Sequence, residues 1–183
     1  FFETNHIDIL VNNTQGPAAG GALEKSIDNY QSAFDLLFKC AVKTSLLALS
    51  SMKDKKWGRI INVASISVKE PLNYLVLSNS LRSALVTWSK TLSVDIAKFN
   101  ITINNVLTGY FNTERLKQLN SKKAEKLGMK ISKIEDTIKE TIPMKRFGKP
   151  EEYANLVCFL ASNKSDYITG TNIPIDGGYM KSL

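Results

Sequence analysis

Small and polar residues stand where three apolar runs of the sequence end, and these are the groups that could do chemistry together. The residues are Asn12, Asn13, Ala64, Ser65, Thr108 and Gly109. Amide and hydroxyl groups donate and accept hydrogen bonds, so at these places they can hold a polar ligand. A metal site is not indicated, because His6 is the single histidine and Cys40 and Cys158 lie far apart, outside any CxxC pattern.

The elements that must position these groups alternate between short apolar strands and long helices. Strands are predicted over residues 7–11, 59–65, 101–107 and 167–176. Helices are predicted over residues 30–52, 77–100, 114–140 and 150–162, with Ser26 and its neighbours able to cap the first of them. This alternation predicts an α/β fold with a doubly wound parallel sheet. Such sheets bind ligands at the carboxyl ends of their strands, where the polar groups stand.

The composition is that of one ordinary globular domain. The chain has 183 residues, of which 43% are hydrophobic and 22% are charged. Its 24 Lys and Arg exceed its 17 Asp and Glu, and the resulting charge of +7 permits an anionic ligand without establishing a nucleic-acid partner. No window approaches the roughly 18 uninterrupted apolar residues of a membrane helix. We expect a cytoplasmic protein with both cysteines reduced and buried in core helices.

Six motifs follow one another in the order and spacing of a known family. They are DILVNN (8–13), GRIINVAS (58–65), ITINNVLTG (101–109) with Thr113 following, RFGKPEE (146–152), FLAS (159–162), and ITG (168–170) with DGG (176–178). On these motifs the chain resembles the short-chain dehydrogenase/reductases over nearly its whole length. The branch that it resembles most is that of the 3-oxoacyl-carrier-protein reductases. The resemblance implies a Rossmann-like sheet and an NAD- or NADP-dependent oxidoreductase acting on a carbonyl or hydroxyl group.

The resemblance also implies which residues lie beside the nicotinamide half of the cofactor. They are Asn12, Thr14, Val63, Thr108, Gly109, Phe111 and Thr113. Thr108 replaces the usual Pro, which predicts a looser turn because Thr leaves φ free. The family's first strand–helix units and its Gly-rich phosphate turn have no counterpart here. We therefore expect one such domain without its first units, the C-terminal two-thirds of a longer chain, with residues 1–3 ending a preceding helix. This piece alone is expected to bind no dinucleotide.

The positions that carry catalysis in the family are altered. The family has Asn, Ser, Tyr and Lys where this chain has Leu37, Ser65, Ser78 and Arg82. A Tyr beside a cation can exchange a proton near neutral pH, whereas the alcohol of Ser78 is far less acidic. Arg82 stays protonated and cannot relay a proton. Because loss of positioned acid–base catalysis costs about 10²–10⁴ in rate, ordinary carbonyl reduction is expected to be slow or absent.

Each candidate catalytic residue has a plain structural alternative. Ser65 could only end a strand as a cap, Ser78 could be a helix N-cap, and Arg82 could be a surface charge. Tyr74 is either a displaced phenol of the site or, as we favour, a loop aromatic packed on a substrate lid. Two functions stay open: a divergent oxidoreductase, and a catalytically impaired dehydrogenase-fold module that only binds.

A lysine-rich segment follows the third strand. Residues 115–149 contain eleven Lys and Arg and four acidic residues, and in the resembled family residues 114–145 form a substrate lid. This segment is either a solvated helical face or an electropositive lip for an anionic substrate or a phosphopantetheine carrier. We expect a small-molecule or carrier-bound acyl substrate and a homodimer or homotetramer. A nucleic-acid partner is not expected, because no aromatic residues interleave with the lysines.

Overall fold

The strands lie side by side in the order in which the chain makes them. The computed structural model describes residues 5–182, whose strands form a parallel sheet of order β1–β2–β3–β4. The strands are β1 (Ile9–Asn12), β2 (Gly58–Val63), β3 (Ile101–Thr108) and β4 (Asn172–Ile175). Every neighbouring pair is parallel, so the carboxyl ends meet at one edge of the sheet. The predicted doubly wound, Rossmann-like α/β fold is confirmed.

Helices connect the strands and cover both faces of the sheet. They are α1 (Ile27–Phe34), α2 (Cys40–Lys55), α3 (Val76–Ile96), α4 (Glu114–Leu127), α5 (Ile131–Thr141) and α6 (Pro150–Leu160). A π-helical turn at Asp35–Lys39 joins α1 to α2, so the helix predicted over 30–52 is one rod with a widened turn. Ser26 caps α1 as predicted, because its hydroxyl accepts a hydrogen bond from the backbone N–H of Asn29 at 3.3 Å.

Three elements are shorter than predicted. The helix predicted over 114–140 is divided by Gly128, whose φ of 62° ends α4 in the left-handed conformation. The helix predicted to reach residue 100 ends earlier, in a 3₁₀ turn closed by Asn100 at a φ of 58°. The last strand shrinks from 167–176 to β4, because Gly170 makes a left-handed turn before it.

Two apolar clusters clamp the sheet between its helices. On one face α2 and α3 pack on β2 and β3 through Ala48, Leu49, Met52, Ile60, Ile96, Ile101 and Ile103. On the other face α6 packs through Ile61, Val106 and Leu160. Burying one such large aliphatic side chain stabilises a fold by about 1.5–3 kcal/mol. A further cluster of Ala64, Ile66, Val86 and Leu107 packs at the carboxyl ends of β2 and β3.

The prediction that both cysteines are buried is wrong. Cys40 opens α2 and Cys158 lies on α6, and both side chains are exposed. The core contacts of these helices are made instead by neighbouring residues such as Ala41 and Leu160. An apolar residue type on a helix therefore does not fix which side of the helix it occupies.

The edge strand β1 is covered on one face only. Ile9 and Val11 are 45% and 42% exposed, while Asn12 at the end of the strand is buried. Within residues 5–182 no helix is both long and apolar enough to cross a lipid bilayer. The expectation for residues 1–3 lies outside the described residues.

Candidate functional site

A cavity of about 670 Å³ opens at the carboxyl edge of the sheet, beyond the ends of β2 and β3. Five of the predicted site residues line it: Ser65, Thr108, Gly109, Phe111 and Thr113. Its other walls are the turn at Gly20, the loop around Tyr74 and one side of α4. Small-molecule sites commonly measure about 300–1,000 Å³. The polar strand ends were predicted to meet at this edge of the sheet, and a cavity large enough for a small-molecule ligand opens there.

Ser65 is both a cap and a cavity residue. Its hydroxyl oxygen accepts a hydrogen bond at 3.1 Å from the backbone N–H of Ser67 and so begins the 3₁₀ turn at Ile66–Val68. The hydroxyl hydrogen has no acceptor within residues 5–182. The structural alternative, a capping role, is confirmed; the catalytic role of Ser65 stays a prediction, for which the cap leaves one hydroxyl donor.

Ser78 is not the N-cap of its helix, so that alternative is wrong. The N-cap of α3 is Leu75, and Ser78 lies three positions further on. Its side chain is buried, makes no hydrogen bond within residues 5–182, and does not line the cavity. Leu37, at the family's Asn position, is buried in the π-helical turn. Neither residue offers the water-binding amide or the phenol that the family uses.

Arg82 is buried, so the surface-charge alternative is also wrong. The side chain is 8% exposed, and its guanidinium donates to the carbonyl oxygen of Val63 at the end of β2. Burial lowers the pKa of Arg82; the nearby Tyr153 opposes this shift and the positive charge of Arg115 adds to it. Among residues 5–182 no carboxylate neutralises this guanidinium, and it keeps N–H donors that Val63 does not use.

Asn12 belongs to a ladder of asparagines that crosses the sheet. Asn12, Asn62, Asn105 and Asn172 occupy paired positions on the four strands. Each amide donates to the next, at 2.8, 2.9 and 2.9 Å in turn. The Asn12 oxygen accepts from Thr44, and its amide also donates to Ser45. Because its polar groups are used inside the protein, Asn12 supports the strand ends and does not line the cavity.

The remaining predicted cofactor residues divide in the same way. Thr113 lines the cavity while its oxygen caps α4 by accepting from the N–H of Leu116 at 3.3 Å. Thr108 lines the cavity and donates to the phenol oxygen of Tyr153 at 3.1 Å. Val63 gives its carbonyl to Arg82, and Thr14 lies in the loop after β1, away from the cavity wall.

A pair of phenols, which the sequence indicated only in part, lines the cavity. The phenol oxygens of Tyr74 and Tyr110 lie 3.4 Å apart, and both residues are in the wall. Burial, and then the hydrogen bond with Tyr74, raise the pKa of Tyr110, so its hydroxyl stays protonated. The ring of Tyr74 lies under the ammonium group of Lys123 on α4, at 5.8 Å from the ring centre. This contact agrees with the prediction of a loop aromatic packed against the lid segment.

Two cavity residues on α4 were missed by sequence reasoning. Arg115 donates to the carbonyl oxygen of Pro17 at 2.6 Å, and burial lowers the pKa of its guanidinium. Asn120 is 3% exposed, and its amide nitrogen has no acceptor. The lysine-rich pattern predicted a helix over this segment. Which of its residues face the cavity depends on tertiary packing, which the pattern does not give. Among residues 5–182 no group of His, Cys, Asp and Glu could hold a metal ion.

Comparison with known proteins places the chain in a family. A family model described as enoyl-(acyl carrier protein) reductase matches residues 2–180. The NADPH-dependent reductase BacG of Bacillus subtilis (strain 168) is 35% identical over 99% of this chain and 70% of BacG. The 3-oxoacyl-[acyl-carrier-protein] reductase FabG of Rickettsia prowazekii (strain Madrid E) is 30% identical over 97% of this chain and 69% of that relative.

Solved structures agree with the sequence relatives. YwfH, an NADPH-dependent reductase involved in bacilysin biosynthesis, is 35% identical with a TM-score of 0.93, over 99% of this chain and 70% of YwfH. L-sorbose reductase from Gluconobacter frateurii, in complex with NADPH and L-sorbose, is 30% identical with a TM-score of 0.91, over 98% of this chain and 69% of that enzyme. The chain belongs to the short-chain dehydrogenase/reductase family of oxidoreductases.

Proposed function

We propose that this protein is an NADPH-dependent reductase that reduces a carbonyl group of a substrate held at the strand ends. The observation that carries the proposal is the cavity, where Ser65, Thr108 and Thr113 meet the phenols of Tyr74 and Tyr110. The relatives support it, because BacG and YwfH are NADPH-dependent reductases and L-sorbose reductase was solved with NADPH. The choice of NADPH over NADH rests on these relatives.

The residues around the cavity fit the nicotinamide end of this cofactor. Arg82 does not line the cavity, but at the end of β2 it keeps N–H donors that match the hydroxyl groups of a ribose bound there, and its uncompensated charge suits an electron-rich ligand. Thr108, Gly109 and Thr113 stand where β3 turns along the cavity wall. We propose that these residues hold that end, with Phe111 beside them, and that Thr14 contacts the cofactor outside the cavity. The bound dinucleotide supplies a hydride to the substrate carbon.

Ser65 and a cavity phenol act on the substrate oxygen in this proposal. The free hydroxyl hydrogen of Ser65 orients the carbonyl group. Tyr74 gives the proton, because it lines the cavity and Tyr110 holds its hydroxyl from one side. Ser78, in the place of the family's Tyr, contributes at most a hydrogen bond, and Arg82 contributes charge without moving a proton.

The test is NADPH oxidation by the whole protein with a panel of carbonyl compounds. Ser65→Ala and Tyr74→Phe are each expected to lower kcat/KM by about 10² or more, as loss of positioned acid–base groups does. Matched controls are Ser50→Ala and Tyr167→Phe, which change an exposed hydroxyl and an exposed phenol away from the cavity. An equal loss in the controls, or no turnover by the wild type, contradicts the proposal.

A second function, a dehydrogenase-fold module without turnover, is favoured by one observation. Ser78 and Arg82 occupy the family's catalytic places, yet neither lines the cavity. On this reading no carbonyl is reduced by the wild type, and Ser78→Tyr with Arg82→Lys creates activity. The double change is needed because the phenol alone lacks an ammonium group to lower its pKa. Wild-type turnover at an ordinary rate of about 1–10³ s⁻¹ excludes this function.

We also propose that residues 114–145, with α4 and α5, form a substrate lid. Ala124 of α4 packs on Ile134 and Ile138 of α5 and on Ile142 just after it, with Tyr110, Phe147 and Tyr179 packed against this cluster. Such a pair of helices can shift as one unit over the cavity that α4 lines. Ligand-dependent loss of amide hydrogen exchange in this segment supports the lid, and unchanged exchange counts against it.

A homodimer or homotetramer is proposed from the outward sides of α1, the π-helical turn at Asp35–Lys39, α2 and α3. Large apolar side chains that are exposed there are Phe34, Leu36, Leu46, Leu47 and Val94. Apolar area of this kind commonly marks subunit contacts. Light scattering of the whole protein is expected to give a dimer or tetramer, and a monodisperse monomer contradicts the proposal.

A further inference from the structure

The side of α4 that faces the cavity carries hydrogen-bond donors and positive charge. Its polar residues in the wall are Arg115, Asn120, Lys122, Lys123 and Lys126. Leucines stand between them in the same wall. The side of α4 that lines the cavity is therefore apolar surface with several hydrogen-bond donors and no carboxylate.

The positive charges of this wall are poorly neutralised by the protein. Among residues 5–182, Glu24 is the only acidic residue that lines the cavity, and its carboxylate lies 3.9 Å from the ammonium group of Lys126. Within residues 5–182, Lys122 and Lys123 make no ion pair, and Lys123 lies over the ring of Tyr74. An anionic ligand would supply the missing charge, and a partly enclosed cavity screens such an attraction less than open water does.

Asn120 adds a second and independent observation. Its side chain is 3% exposed, its amide nitrogen has no acceptor, and the residue is part of the cavity wall. Buried donors are matched in the great majority of folded proteins, and an unmatched one calls for a specific reason. An oxygen atom of a bound ligand would match this donor.

The opposite wall of the cavity is apolar and indicates the chemistry of the remainder of the ligand. Ile66, Leu72 and Leu75 line it, together with the ring of Tyr74. A chain or ring of carbon atoms fits this surface, because apolar area is removed from water when it binds. The cavity volume of about 670 Å³ suits a small molecule.

We propose that the substrate is a small, largely apolar carbonyl compound with a carboxylate group, bound by Lys123 and the Asn120 amide, which are one turn apart on α4, while the exposed Lys122 adds positive charge. An ammonium and an amide match the oxygens of one carboxylate. The inference deepens the proposed reductase function and rests on it. A free acid is favoured over a carrier-linked acyl group, because Asn120 sits in the wall, whereas the phosphate of a carrier arm would stay at the mouth.

The test is equilibrium binding by calorimetry with the whole protein saturated with NADP⁺, so that no turnover is needed. The probes are 4-phenyl-2-oxobutanoate and its methyl ester, which differ in the negative charge. We expect the acid to bind at least about tenfold more tightly than the ester. Lys122→Ala with Lys123→Ala removes that preference. The matched control, Lys130→Ala with Lys133→Ala at the exposed N-cap and first turn of α5, removes the same charge outside the cavity and keeps the preference.

Asn120→Leu separates a ligand contact from a structural role. The variant is expected to weaken binding of the acid while the unfolding temperature holds or rises, because an unmatched buried donor has been removed. Equal affinity for acid and ester, an equal loss in the control pair, or an Asn120→Leu variant with unchanged acid affinity overturns the inference. So does tight binding of a phosphopantetheine thioester with no binding of the free acid. Selective acid binding without NADPH oxidation contradicts the reductase alone.

Discussion

Two buried arginines lie at opposite ends of β2, and their surroundings differ. At the amino end, Arg59 is 0% exposed; it pairs with Asp166 and donates to the carbonyl oxygens of Gly58, Asn100 and Ser162. At the carboxyl end, Arg82 donates to one carbonyl oxygen and meets no acid within residues 5–182. The guanidinium of Arg59 is thus fully engaged by hydrogen bonds and an ion pair, whereas that of Arg82 is buried with one hydrogen bond and no counter-charge.

The difference teaches how to separate structure from function among buried polar groups. Burying a charge is unfavourable unless partners compensate it, and Arg59 has such partners. Arg82 does not, and Ser78 on the same helix and Asn120 in the cavity wall also lack them. These three groups lie near the strand ends at which ligands of such sheets bind, whereas the unmatched hydroxyl of Thr102 lies near the amino end of β3. We infer that these groups are matched by ligands.

The largest effect is expected from Arg59→Met. The change leaves three backbone carbonyls near the sheet's amino end without their donor and breaks the Asp166 pair, so it should lower the free energy of unfolding by about 3 kcal/mol. Urea unfolding of the whole protein measures this. A decrease in the free energy of unfolding below about 1 kcal/mol would mean that Arg59 does not stabilise the fold through these contacts.

A medium effect is expected from Ser89→Ala on α3. The Ser89 hydroxyl accepts from Asn62 at 2.8 Å and donates to the carbonyl of Leu85 at 2.7 Å, so its loss should cost about 1–2 kcal/mol of unfolding free energy. Ser78→Ala on the same helix removes a hydroxyl without partners and should change stability by less than about 0.5 kcal/mol. Equal losses in the two variants erase the distinction between matched and unmatched groups.

A smaller effect on stability is expected from Arg82→Met. The variant loses the hydrogen bond to Val63 but also an uncompensated buried charge, so the free energy of unfolding should stay within about 1 kcal/mol of the wild type. The affinity of the whole protein for NADPH, measured by fluorescence, should nevertheless fall. A loss of stability as large as that of Arg59→Met, with unchanged NADPH affinity, would show that Arg82 has a structural role and does not bind the cofactor.

The smallest effect is expected at an exposed pair outside both regions. A guanidinium nitrogen of Arg146 lies 2.6 Å from a carboxylate oxygen of Glu152. This contact and the hydrogen bond from the backbone N–H of Lys149 lower the pKa of the Glu152 carboxyl to about 2. Since the folded pKa is depressed, the stabilisation is complete above the ordinary value near 4.5 and is lost as pH falls towards 2. Glu152→Gln should therefore lower the unfolding temperature slightly at pH 6 and not at pH 2. An equal difference at both pH values contradicts this.

The sequence predicted what local pattern controls. Apolar β-branched runs predicted all four strands, and the polar residues after them predicted the edge at which Ser65, Thr108 and Thr113 line a cavity. The helix break at Gly128 was missed, because a single Gly within a helical pattern ends a helix only where the chain must turn.

What depends on register and packing could not be predicted. The asparagine ladder needs the pairing of Asn12 with Asn62 and of Asn62 with Asn105, which no single strand contains. The burial of Arg82 and the inward side of α4 likewise depend on neighbours distant in sequence. The roles of Ser65, Ser78 and Arg82 stay predictions, because geometry without a ligand does not test them.

The central claim is that the open polar groups at the carboxyl edge serve a bound carbonyl substrate. The most direct measurement is the stoichiometry of NADPH oxidised and alcohol formed by the whole protein with 4-phenyl-2-oxobutanoate. We predict one alcohol per NADPH, with kcat/KM at least about tenfold above that for the methyl ester and lowered by about 10² in Ser65→Ala. Folded protein that binds NADPH yet forms no alcohol from any carbonyl compound would contradict the claim.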